Sequence, residues 1–461
     1  MSTLLVKNAT IIVTMDQDER ELTDAAIFCR DGFIEQIGPA VDLPQDADEV
    51  LDLKDHIVLP GLVNTHHHFY QTLTRAIPAT QDANLFHWLK TLYPIWAKLQ
   101  PEDIFLSTQT AMAELALSGC TTSSDHLYLF PNGSKLDDEI EAAATTGMRL
   151  HAARGSMSLG ESQGGLPPDS VVDTEETILK DSERVIQRYH DPSHGSRLQI
   201  VLAPCSPFSV TTNLMRESAA LARKYHVHLH THLAETEDED DFCLQKFGHK
   251  PVAYMQTVDW IGDDVWFAHS VWVNDREMDL YAKHGCGVAH CPSSNMRLAS
   301  GIAPVMNMLS RGIKLGLGVD GSASNDASHM INEVRQAMML ARVNSGIKGA
   351  SRSAPDAPPL MTARQALSIG TRGGASVLGR NDIGSLEVGK CADFFAIDLN
   401  RLEYTGALQD PVAAVVFCAP VKADWTVVGG DVVVREGQFT KFDIQAHVRK
   451  HNAVTKRLVE N

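Results

Sequence analysis

The feature of this sequence that most constrains its fold is a series of short apolar segments in the middle of the chain, most of which end in polar, chemically capable residues. Longer amphipathic segments separate them, which is the pattern of βα units around a parallel sheet. Eight strands close a (β/α)8 TIM barrel, whose catalytic groups come from the C-terminal strand ends. The eight predicted strands are HIVLPGLVNTH, GCTTSSDH, GMRLHAARG, RLQIVLAPC, VHLHTH, VWFAHS, GVAHCP and KLGLGVD.

The two ends of the chain differ from the middle, because both alternate short β-rich runs with turns. Asp31-Gly32, between two apolar runs near the N-terminus, predicts a β-hairpin. The same texture returns near the C-terminus in ADFFAIDL and DWTVVGGDVVV. We therefore expect an α/β protein in which residues 1–60 and 380–445 form a composite β-sandwich that flanks a barrel of residues 61–379.

Histidines alternate at the ends of two predicted strands. His66 and His68 end the first strand, and they share a face because alternate side chains of a strand point the same way. His232 is the last of three alternating histidines in VHLHTHLAET, and Glu235 follows where the strand gives way to a loop. Side chains placed in this way can hold a metal ion and transfer a proton beside it.

Two further strands end in residues of the same kind. His269 ends the sixth strand, VWFAHS, and Asp320 follows the eighth, KLGLGVD. A carboxylate directly after a buried strand is costly unless it is paired or binds a metal. Because these strand ends converge on one mouth of the barrel, the sequence predicts a metal site there. His228 and His230 are expected to pack or to support the ligands.

Composition narrows the possible partners. The 58 Asp and Glu residues exceed the 40 Lys and Arg residues, and the formal charge of −18 disfavours a nucleic-acid polymer as partner. The longest apolar runs fall short of the roughly 18 residues that span a bilayer, and no secretory signal pattern is visible. The eight cysteines form no CxxC pair, and we expect most of them to be buried thiols. We expect a cytoplasmic homo-oligomer that acts on a small molecule, with no membrane partner.

The sequence resembles the amidohydrolase superfamily, and specifically its aminohydrolase and chlorohydrolase branch. The resemblance is carried by PGLVNTHHHFYQ, HTHLAET, the isolated His269, GLGVDG and IGSLEVGKCADFFAIDL, and it covers nearly the whole chain. It implies that the metal is bound by His66, His68, His232 and Asp320. The metal implied is usually zinc, with iron as an alternative.

The resemblance also implies roles for the residues around the metal. Glu235 would be the proton shuttle, His269 would orient or activate the water, and Gln71, in the pattern HxHxxQ, would contact the substrate. Two-metal members of the superfamily carry a bridging lysine at the end of the fourth strand, whereas this strand ends APCS at 203–206. We therefore expect one zinc ion per chain, as in the one-metal members, which are mostly deaminases.

A finer resemblance, to bacterial 8-oxoguanine deaminases, is carried by HHHFYQTLTRA, WLKTLYPIW, ARGSMSLGESQGGLPP, LAPCSPFSV, EDEDDFCLQKFG, CPSSNMRLASGI and GVDGSASNDASHMI. These segments lie mainly on strand-to-helix loops, which determine substrate choice. Arg154 could donate hydrogen bonds to a purine carbonyl, and Cys205 and Asn295 are weaker candidates for substrate contact. The aromatic residues expected to pack in the core or a lid are Trp88, Tyr93 and Trp96.

The implied reaction is hydrolytic deamination without a covalent intermediate. Zinc lowers the pKa of a bound water to about 7, so that hydroxide is available at neutral pH to attack the ring carbon that bears the amino group. Asp320 and His269 would take or hold the water's proton. Glu235 would protonate the neighbouring ring nitrogen and then the departing amine. For 8-oxoguanine, attack at C2 gives urate and ammonia.

Other functions fit the sequence less well. GLGVDG formally matches the dinucleotide fingerprint GxGxxG, but it lies at the eighth strand and contains Asp320. The signatures of cytidine-type deaminases and of HExxH proteases are absent. A non-catalytic protein on this barrel would be expected to have lost metal ligands. Deamination of guanine or a pterin, and hydrolysis of an aminotriazine or chlorotriazine, stay open on the same site.

Overall fold

The computed structural model describes residues 2–347 and 359–460. Its strands are β1 Thr3–Lys7, β2 Ile11–Val13, β3 Glu21–Leu22, β4 Ala25–Arg30, β5 Phe33–Pro39, β6 Glu49–Asp52, β7 His56–Pro60, β8 Leu62–Asn64, β9 His67–His68, β10 Cys120–Leu127, β11 Arg149–Ser156, β12 Leu198–Pro204, β13 His228–Leu233, β14 Val265–His269, β15 Gly287–His290, β16 Lys314–Leu317, β17 Asp320–Gly321, β18 Phe394–Asp398, β19 Trp425–Val428, β20 Asp431–Arg435 and β21 Gln438–Phe439.

The helices, apart from short 3-10 turns, are α1 Leu85–Trp96, α2 Pro101–Leu117, α3 Leu136–Ala144, α4 Glu175–Tyr189, α5 Thr212–Tyr225, α6 Glu237–Phe247, α7 Pro251–Thr257, α8 Asp275–His284, α9 Pro292–Arg297, α10 Val305–Ser310, α11 Met330–Ile347, α12 Ala363–Ser368, α13 Gly374–Val377, α14 Pro411–Phe417 and α15 Ile444–Glu460. A π-helical turn, Ile369–Gly373, joins α12 to α13. Within the two described ranges, every helix is too short or too polar to cross a membrane.

Eight parallel strands close into a barrel in the order β10-β11-β12-β13-β14-β15-β16-β8. Alternate residues of these strands fill the interior, where Val63, Ala153, Val201 and Trp266 belong to one buried cluster. Helices cover the outside, so the predicted (β/α)8 fold is confirmed. Residues 348–358, which fall in the expected barrel segment, lie outside the described residues.

The first predicted strand is divided in two, so the expectation of one continuous barrel strand from 56 to 66 is wrong. β7 pairs with β18 and β2 outside the barrel, whereas β8 pairs with β10 and β16 inside it. Gly61 lies between them, where an added Cβ would be 2.1 Å from Oγ1 of Thr121. A glycine is therefore required where the chain passes from the outer sheet into the barrel.

The outer sheets join both ends of the chain, as the sequence indicated. The seven-stranded sheet has the order β21-β20-β19-β18-β7-β2-β3, and a four-stranded sheet from the N-terminal segment has the order β5-β4-β1-β6. β18 runs antiparallel to β7, with Ala396 opposite Val58. Buried side chains from both sheets form one core, which includes Val6, Ile27, Val58, Phe394, Ala396 and Val427.

The predicted hairpin at Asp31-Gly32 joins β4 to β5, with Arg30 opposite Phe33. Both turn residues have positive φ, 49° and 86°. A type I′ turn requires this conformation, and Asp-Gly is one of the sequences that favour it. The hairpin prediction is confirmed.

The C-terminal helix α15 returns from the outer sheet to the barrel, which the sequence did not predict. It packs against α2 and against the 3-10 turn Phe69–Thr74 that follows β9. Nε2 of His451 lies 3.1 Å from Oγ1 of Thr72 in this turn, and Nε2 of His447 lies 2.7 Å from Oγ1 of Thr110 in α2. The helix therefore supports the segment that comes directly after the HHH sequence.

Candidate metal centre and active site

The histidines at the predicted strand ends meet at the C-terminal mouth of the barrel. His66 follows β8, and His68 lies in β9, which pairs with β17 so that Asp320 lies beside this segment. The possible ligand atoms of His66, His232, His269 and Asp320 all lie within 4.8 Å of one another. Nε2 of His68 is 3.1 Å from Nε2 of His232. The structure thus brings the five predicted residues together.

Hydrogen bonds to backbone carbonyls determine which ring nitrogen carries the proton in two of these histidines. Nδ1 of His68 donates to the carbonyl of His126 over 2.8 Å, and Nδ1 of His232 donates to the carbonyl of Cys205 over 2.6 Å. A carbonyl oxygen can only accept a hydrogen bond, so each proton lies on Nδ1. The Nε2 lone pairs of both rings are therefore free to face the centre.

The tautomer of His66 is set through a second histidine. Nδ1 of His230 donates to the carbonyl of Trp266 over 3.0 Å, so Nε2 of His230 must accept the proton of His66 Nδ1, 2.8 Å away. This leaves Nε2 of His66 as an acceptor, and this buried atom has no hydrogen-bond partner among the residues that the structure describes. His230 therefore contacts a predicted ligand and holds it in position.

This donor set fits a divalent metal ion. Oδ1 of Asp320 lies 3.2 Å from Nε2 of His66 and 3.3 Å from Nε2 of His68. These atoms, together with Nε2 of His232, are bare acceptors that repel one another unless a cation lies among them. Burial lowers the pKa of all three histidines and keeps their rings neutral. Imidazole and carboxylate suit zinc, and Nδ1–H bonds to backbone carbonyls are typical of ligand histidines.

Glu235 lies beside this cluster at the start of the loop after β13. Its Oε2 is 3.6 Å from Nε2 of His269, and its Oε1 accepts a hydrogen bond from Oγ of Ser300 over 3.4 Å. Burial, with a further contribution from the charge of Asp320, raises the pKa of Glu235 to about 7. A carboxyl group with a pKa near 7 can both donate and accept a proton at neutral pH.

His269 is held in an uncommon backbone conformation. Its φ is 72°, and φ is 61° at Asp320 and 53° at Ala234, although none of these residues is glycine. Left-handed conformations of this kind persist where surrounding contacts impose them, often at functional sites. Nδ1 of His269 lies 2.9 Å from Oδ1 of Asn295. Asn295, a weaker candidate for substrate contact from the sequence, thus turns the Nε2 lone pair of His269 towards Glu235 and Asp320.

A cavity opens above the cluster and is lined by aromatic side chains on one side. Trp88 and Tyr93 of α1 line it together with Tyr128 and Phe208. The indole N–H of Trp88 donates to the carbonyl of Ala323 over 3.1 Å, which fixes the ring. The expectation that Trp88 and Tyr93 only pack is therefore incomplete, because both also face the cavity. A cavity lined by aromatic rings suits a planar heterocycle.

Gln71 and Cys205 contribute polar groups to the same cavity, as expected. Oε1 of Gln71 accepts a hydrogen bond from the backbone N–H of Ala323 over 3.3 Å, which leaves its amide N–H groups as donors. An added Cβ at Gly321 would lie 1.8 Å from this Oε1. Glycine at this position therefore makes room for the Gln71 side chain.

Arg154 does not line the cavity, which corrects the expectation of a substrate contact. Ala153 faces the barrel interior, so the next residue of β11 points outward to the helices. There Nε of Arg154 donates to Oδ2 of Asp181 in α4 over 3.1 Å, and the guanidinium lies 4.3 Å from the ring centroid of Phe130. Arg154 therefore attaches a helix to the barrel.

Several cavity and support residues were not singled out from the sequence. Tyr128 and Phe208 lie on loops whose apolar residues look like ordinary packing. His126 ends the predicted strand GCTTSSDH, so its position was a usable signal. Its Nε2 donates to the carbonyl of Ala203 over 2.7 Å, and its ring stacks on that of His232 with centroids 5.0 Å apart.

Comparison with known proteins agrees with this geometry. A model of the amidohydrolase family matches residues 57–434. The chain is 48% identical to the 8-oxoguanine deaminase of Pseudomonas aeruginosa over the full length of both chains. It is 35% identical to an isoxanthopterin deaminase from an unknown prokaryotic organism, over 88% of this chain and 87% of the other.

A solved structure with the same fold contains zinc. The crystal structure of the atrazine chlorohydrolase from Arthrobacter aurescens TC1 complexed with zinc superimposes with a TM-score of 0.91. The two sequences are 31% identical, and the match covers 98% of this chain and 100% of the other.

Proposed function

This chain belongs to the amidohydrolase family, which confirms the family resemblance, and from that membership we propose that it is a hydrolytic deaminase of a purine-type base. The observation that carries the proposal is that Glu235 and His269 face the metal-binding cluster at the floor of an aromatic-lined cavity. The similarity to an 8-oxoguanine deaminase over the full chain supports 8-oxoguanine as the substrate. The products would be urate and ammonia.

We propose one zinc ion per chain, held by His66, His68, His232 and Asp320, with iron as the alternative metal. The number rests on the end of β12, where residues 203–206, APCS, include no lysine of the kind that bridges two metals in other members of the superfamily. Bound at this position, zinc would act as a Lewis acid that increases the acidity of a water molecule. Elemental analysis after removal of loosely bound ions should give about one equivalent, and two equivalents would contradict the proposal.

The protein side chains supply the proton transfers. Asp320 and Nε2 of His269 would accept or hold the proton of the attacking water. Glu235 would then protonate the ring nitrogen next to the amino-bearing carbon, so that negative charge does not accumulate on the ring. The same carboxyl group would pass a proton to the amine, which leaves as ammonia. A pKa of about 7 suits Glu235 to both transfers.

We propose that Trp88 and Tyr93 hold the planar substrate while Gln71 and Cys205 contact its polar edge. The Gln71 amide would donate to a carbonyl or ring nitrogen, since its oxygen is already occupied by Ala323. Burial raises the pKa of the Cys205 thiol to about 12, so the thiol is neutral and would act as a weak donor.

The substrate is tested by comparing kcat/KM for 8-oxoguanine, guanine, isoxanthopterin and an aminotriazine under identical conditions. A site built to bind the C8 carbonyl and N7–H of 8-oxoguanine leaves polar groups unpaired with guanine, and such sites discriminate by about 10⁴-fold. If kcat/KM for guanine or for the pterin equals that for 8-oxoguanine, the substrate assignment is wrong, whereas the assignment as a deaminase is retained. If only the triazine reacts, the nucleobase assignment fails as well.

Alternative activities on the same site are supported by other relatives. The similarity to the isoxanthopterin deaminase supports a pterin, and the similarity to the atrazine chlorohydrolase structure supports a triazine. We further propose that the protein is a cytoplasmic homo-oligomer without a nucleic-acid partner. Light scattering of the purified protein tests the oligomeric state. A measured mass equal to that of one chain would exclude a homo-oligomer.

A further inference from the structure

The peptide bond between Ala234 and Glu235 is held at both of its polar atoms. Its carbonyl oxygen, on Ala234, accepts hydrogen bonds from the backbone N–H groups of Val271 and Trp272, each over 2.9 Å. Its N–H, on Glu235, donates to Oε2 of Glu239 over 3.0 Å. Because both polar atoms of this peptide are bound, its plane is held, and with it the position of the backbone nitrogen from which Glu235 continues.

This restraint acts on a conformation that the chain does not adopt readily. Ala234 has a φ of 53°, in the left-handed region that residues with a Cβ rarely occupy. The turn at Ala234 brings Glu235 towards His269 three residues after the metal-ligand candidate His232. Surrounding contacts must maintain such a turn. The hydrogen bond from the N–H of Glu235 to Glu239 of α6 is one of these contacts.

The carboxyl group of Glu239 is buried, although the stability of its helix does not depend on that burial. It lies in the first turn of α6 and is 2% exposed, whereas Glu237 in the same turn is exposed. An exposed carboxylate would serve the helix N-terminus as well. Burial raises the pKa of Glu239 to about 8, so its carboxyl is mostly neutral at pH 7 and accepts through an oxygen that an amide could replace.

We propose that Glu239 is a positioning residue that aims the Glu235 carboxyl at the reacting atoms by binding its backbone N–H. This inference rests on the proposed function, in which Glu235 transfers the protons. Glu239 is itself neither a member of the metal-binding cluster nor one of the described residues that line the cavity, and its hydrogen bond is to the backbone of Glu235. Its effect should therefore fall on turnover and not on substrate or metal binding.

The test compares Glu239→Gln with Glu239→Met in the zinc-loaded protein. Gln keeps an acceptor oxygen, so kcat should stay within about 3-fold of wild type, because the hydrogen bond is retained. Met has a similar length but only a weak thioether acceptor in place of the carboxyl oxygen. Its kcat should therefore fall by about 100-fold, since small misplacements of a catalytic group have effects of that size. KM and zinc content should not change in either variant, and Glu237→Gln is the exposed control.

A double-mutant cycle with Glu235→Gln separates positioning from general damage. If Glu239 acts through Glu235, Glu239→Met should add little to the loss caused by Glu235→Gln. A further loss of full size, a loss of zinc, or a Glu239→Met variant with wild-type kcat would overturn the inference. If Glu235→Gln keeps wild-type turnover, the proposed function of Glu235 fails first.

A shorter acid provides a second variant that keeps the charge. Glu239→Asp withdraws the carboxyl by one methylene, and kcat should fall by about 10-fold at unchanged KM, because the hydrogen bond is lengthened. It replaces Glu239→Met in the cycle if the latter does not fold. Wild-type kcat in a folded Glu239→Asp variant would overturn the requirement for the contact.

Discussion

Among the described residues that line the cavity, two carry a carboxyl group: Glu235, which lies beside His269, and the metal-ligand candidate Asp320. We expect Glu235→Gln to keep the fold and the metal, because Gln has the same shape. Turnover should fall by about 10²–10⁴-fold, since an amide cannot carry the proton. Steady-state kinetics with metal analysis checks this, and a rate within a few-fold of wild type would assign proton transfer to another group.

Nε2 of the ligand candidate His232 lies 3.1 Å from Nε2 of His68, a second ligand candidate. We expect His232→Ala to lose metal and activity together, because three remaining ligands hold zinc less well than four. Zinc content and ammonia release should be measured on the same preparation. His228→Ala is a control on the same strand. A His232→Ala protein with full zinc content would contradict the ligand assignment.

The roles of residues could be predicted from the sequence where potential metal ligands occupy alternate positions at the end of a strand. His66 and His68 share a face and His232 ends a strand, so their convergence follows once the barrel is recognised. Arg154 was misplaced because β11 is buried on both faces, so its sequence, RLHAARGS, does not show which face Arg154 joins. The role of Glu239 was not accessible, since its hydrogen bond depends on a turn at Ala234 that no sequence signal marks.

At the scale of elements, Glu333 of α11 connects the loops that follow β15 and β16. Its carboxyl accepts hydrogen bonds from the N–H and Oγ of Ser293, over 3.2 and 2.5 Å, and from Nδ2 of Asn325 over 3.0 Å. Nδ2 of Asn325 also donates to the carbonyl of Val319 over 2.7 Å. Glu333 therefore joins α9, which contains Asn295, to the segment that follows Asp320 and β17.

Glu333 makes stability depend on pH in a defined direction. Burial raises its pKa from 4.5 to about 7, so the folded protein binds a proton that the unfolded chain releases between these values. The contribution of Glu333 to the free energy of unfolding is fully present below about pH 4.5. It falls by at most about 3 kcal/mol as the pH rises through about 7. In urea unfolding at pH 5 and pH 8, wild type should lose more stability than Glu333→Gln. Equal losses of stability in wild type and Glu333→Gln would contradict this role of Glu333. Glu237→Gln is the exposed control and should lose as much stability as wild type.

Elements were predictable where periodicity and turns agree, as in the eight barrel strands and the Asp31-Gly32 hairpin. The pairing of the two halves of the first strand was not, because Pro60-Gly61 interrupts the apolar run but does not show that one half pairs with β18 and the other with β10. Likewise, the composition of α1 does not show that Trp88 and Tyr93 lie over the mouth of the barrel. Tertiary packing determines both outcomes.

At the scale of the whole molecule, the outer sheet depends on both ends of the chain. Deletion of residues 385–461 removes four of its seven strands and leaves β7 with an open edge. We expect an insoluble or molten product, because unpaired edges promote association. Deletion of residues 443–461 is the matched control, since it removes α15 but leaves every strand of the sheet. A soluble, cooperatively folded 1–384 protein would contradict this dependence.

The overall architecture was largely predictable, because β-rich ends around alternating βα units admit few arrangements. The C-terminal helix was missed, since the sequence after residue 440 is polar and its contacts with Thr72 and Thr110 are made by two histidines that look like surface residues. The path of the chain back to the barrel is visible only in three dimensions.

The pairing of β7 with β18 has a consequence for how the protein forms during synthesis. Val58 and its partner Ala396 are separated by about 340 residues, and ribosomes add about 5–20 residues per second. The N-terminal strands therefore leave the ribosome roughly 17–70 s before their neighbours exist. Throughout that interval the apolar edge of β7 is open to other nascent chains. Slower translation late in the message, or depletion of the chaperones that cover such edges, should therefore reduce the yield of native protein more than its equilibrium stability would suggest.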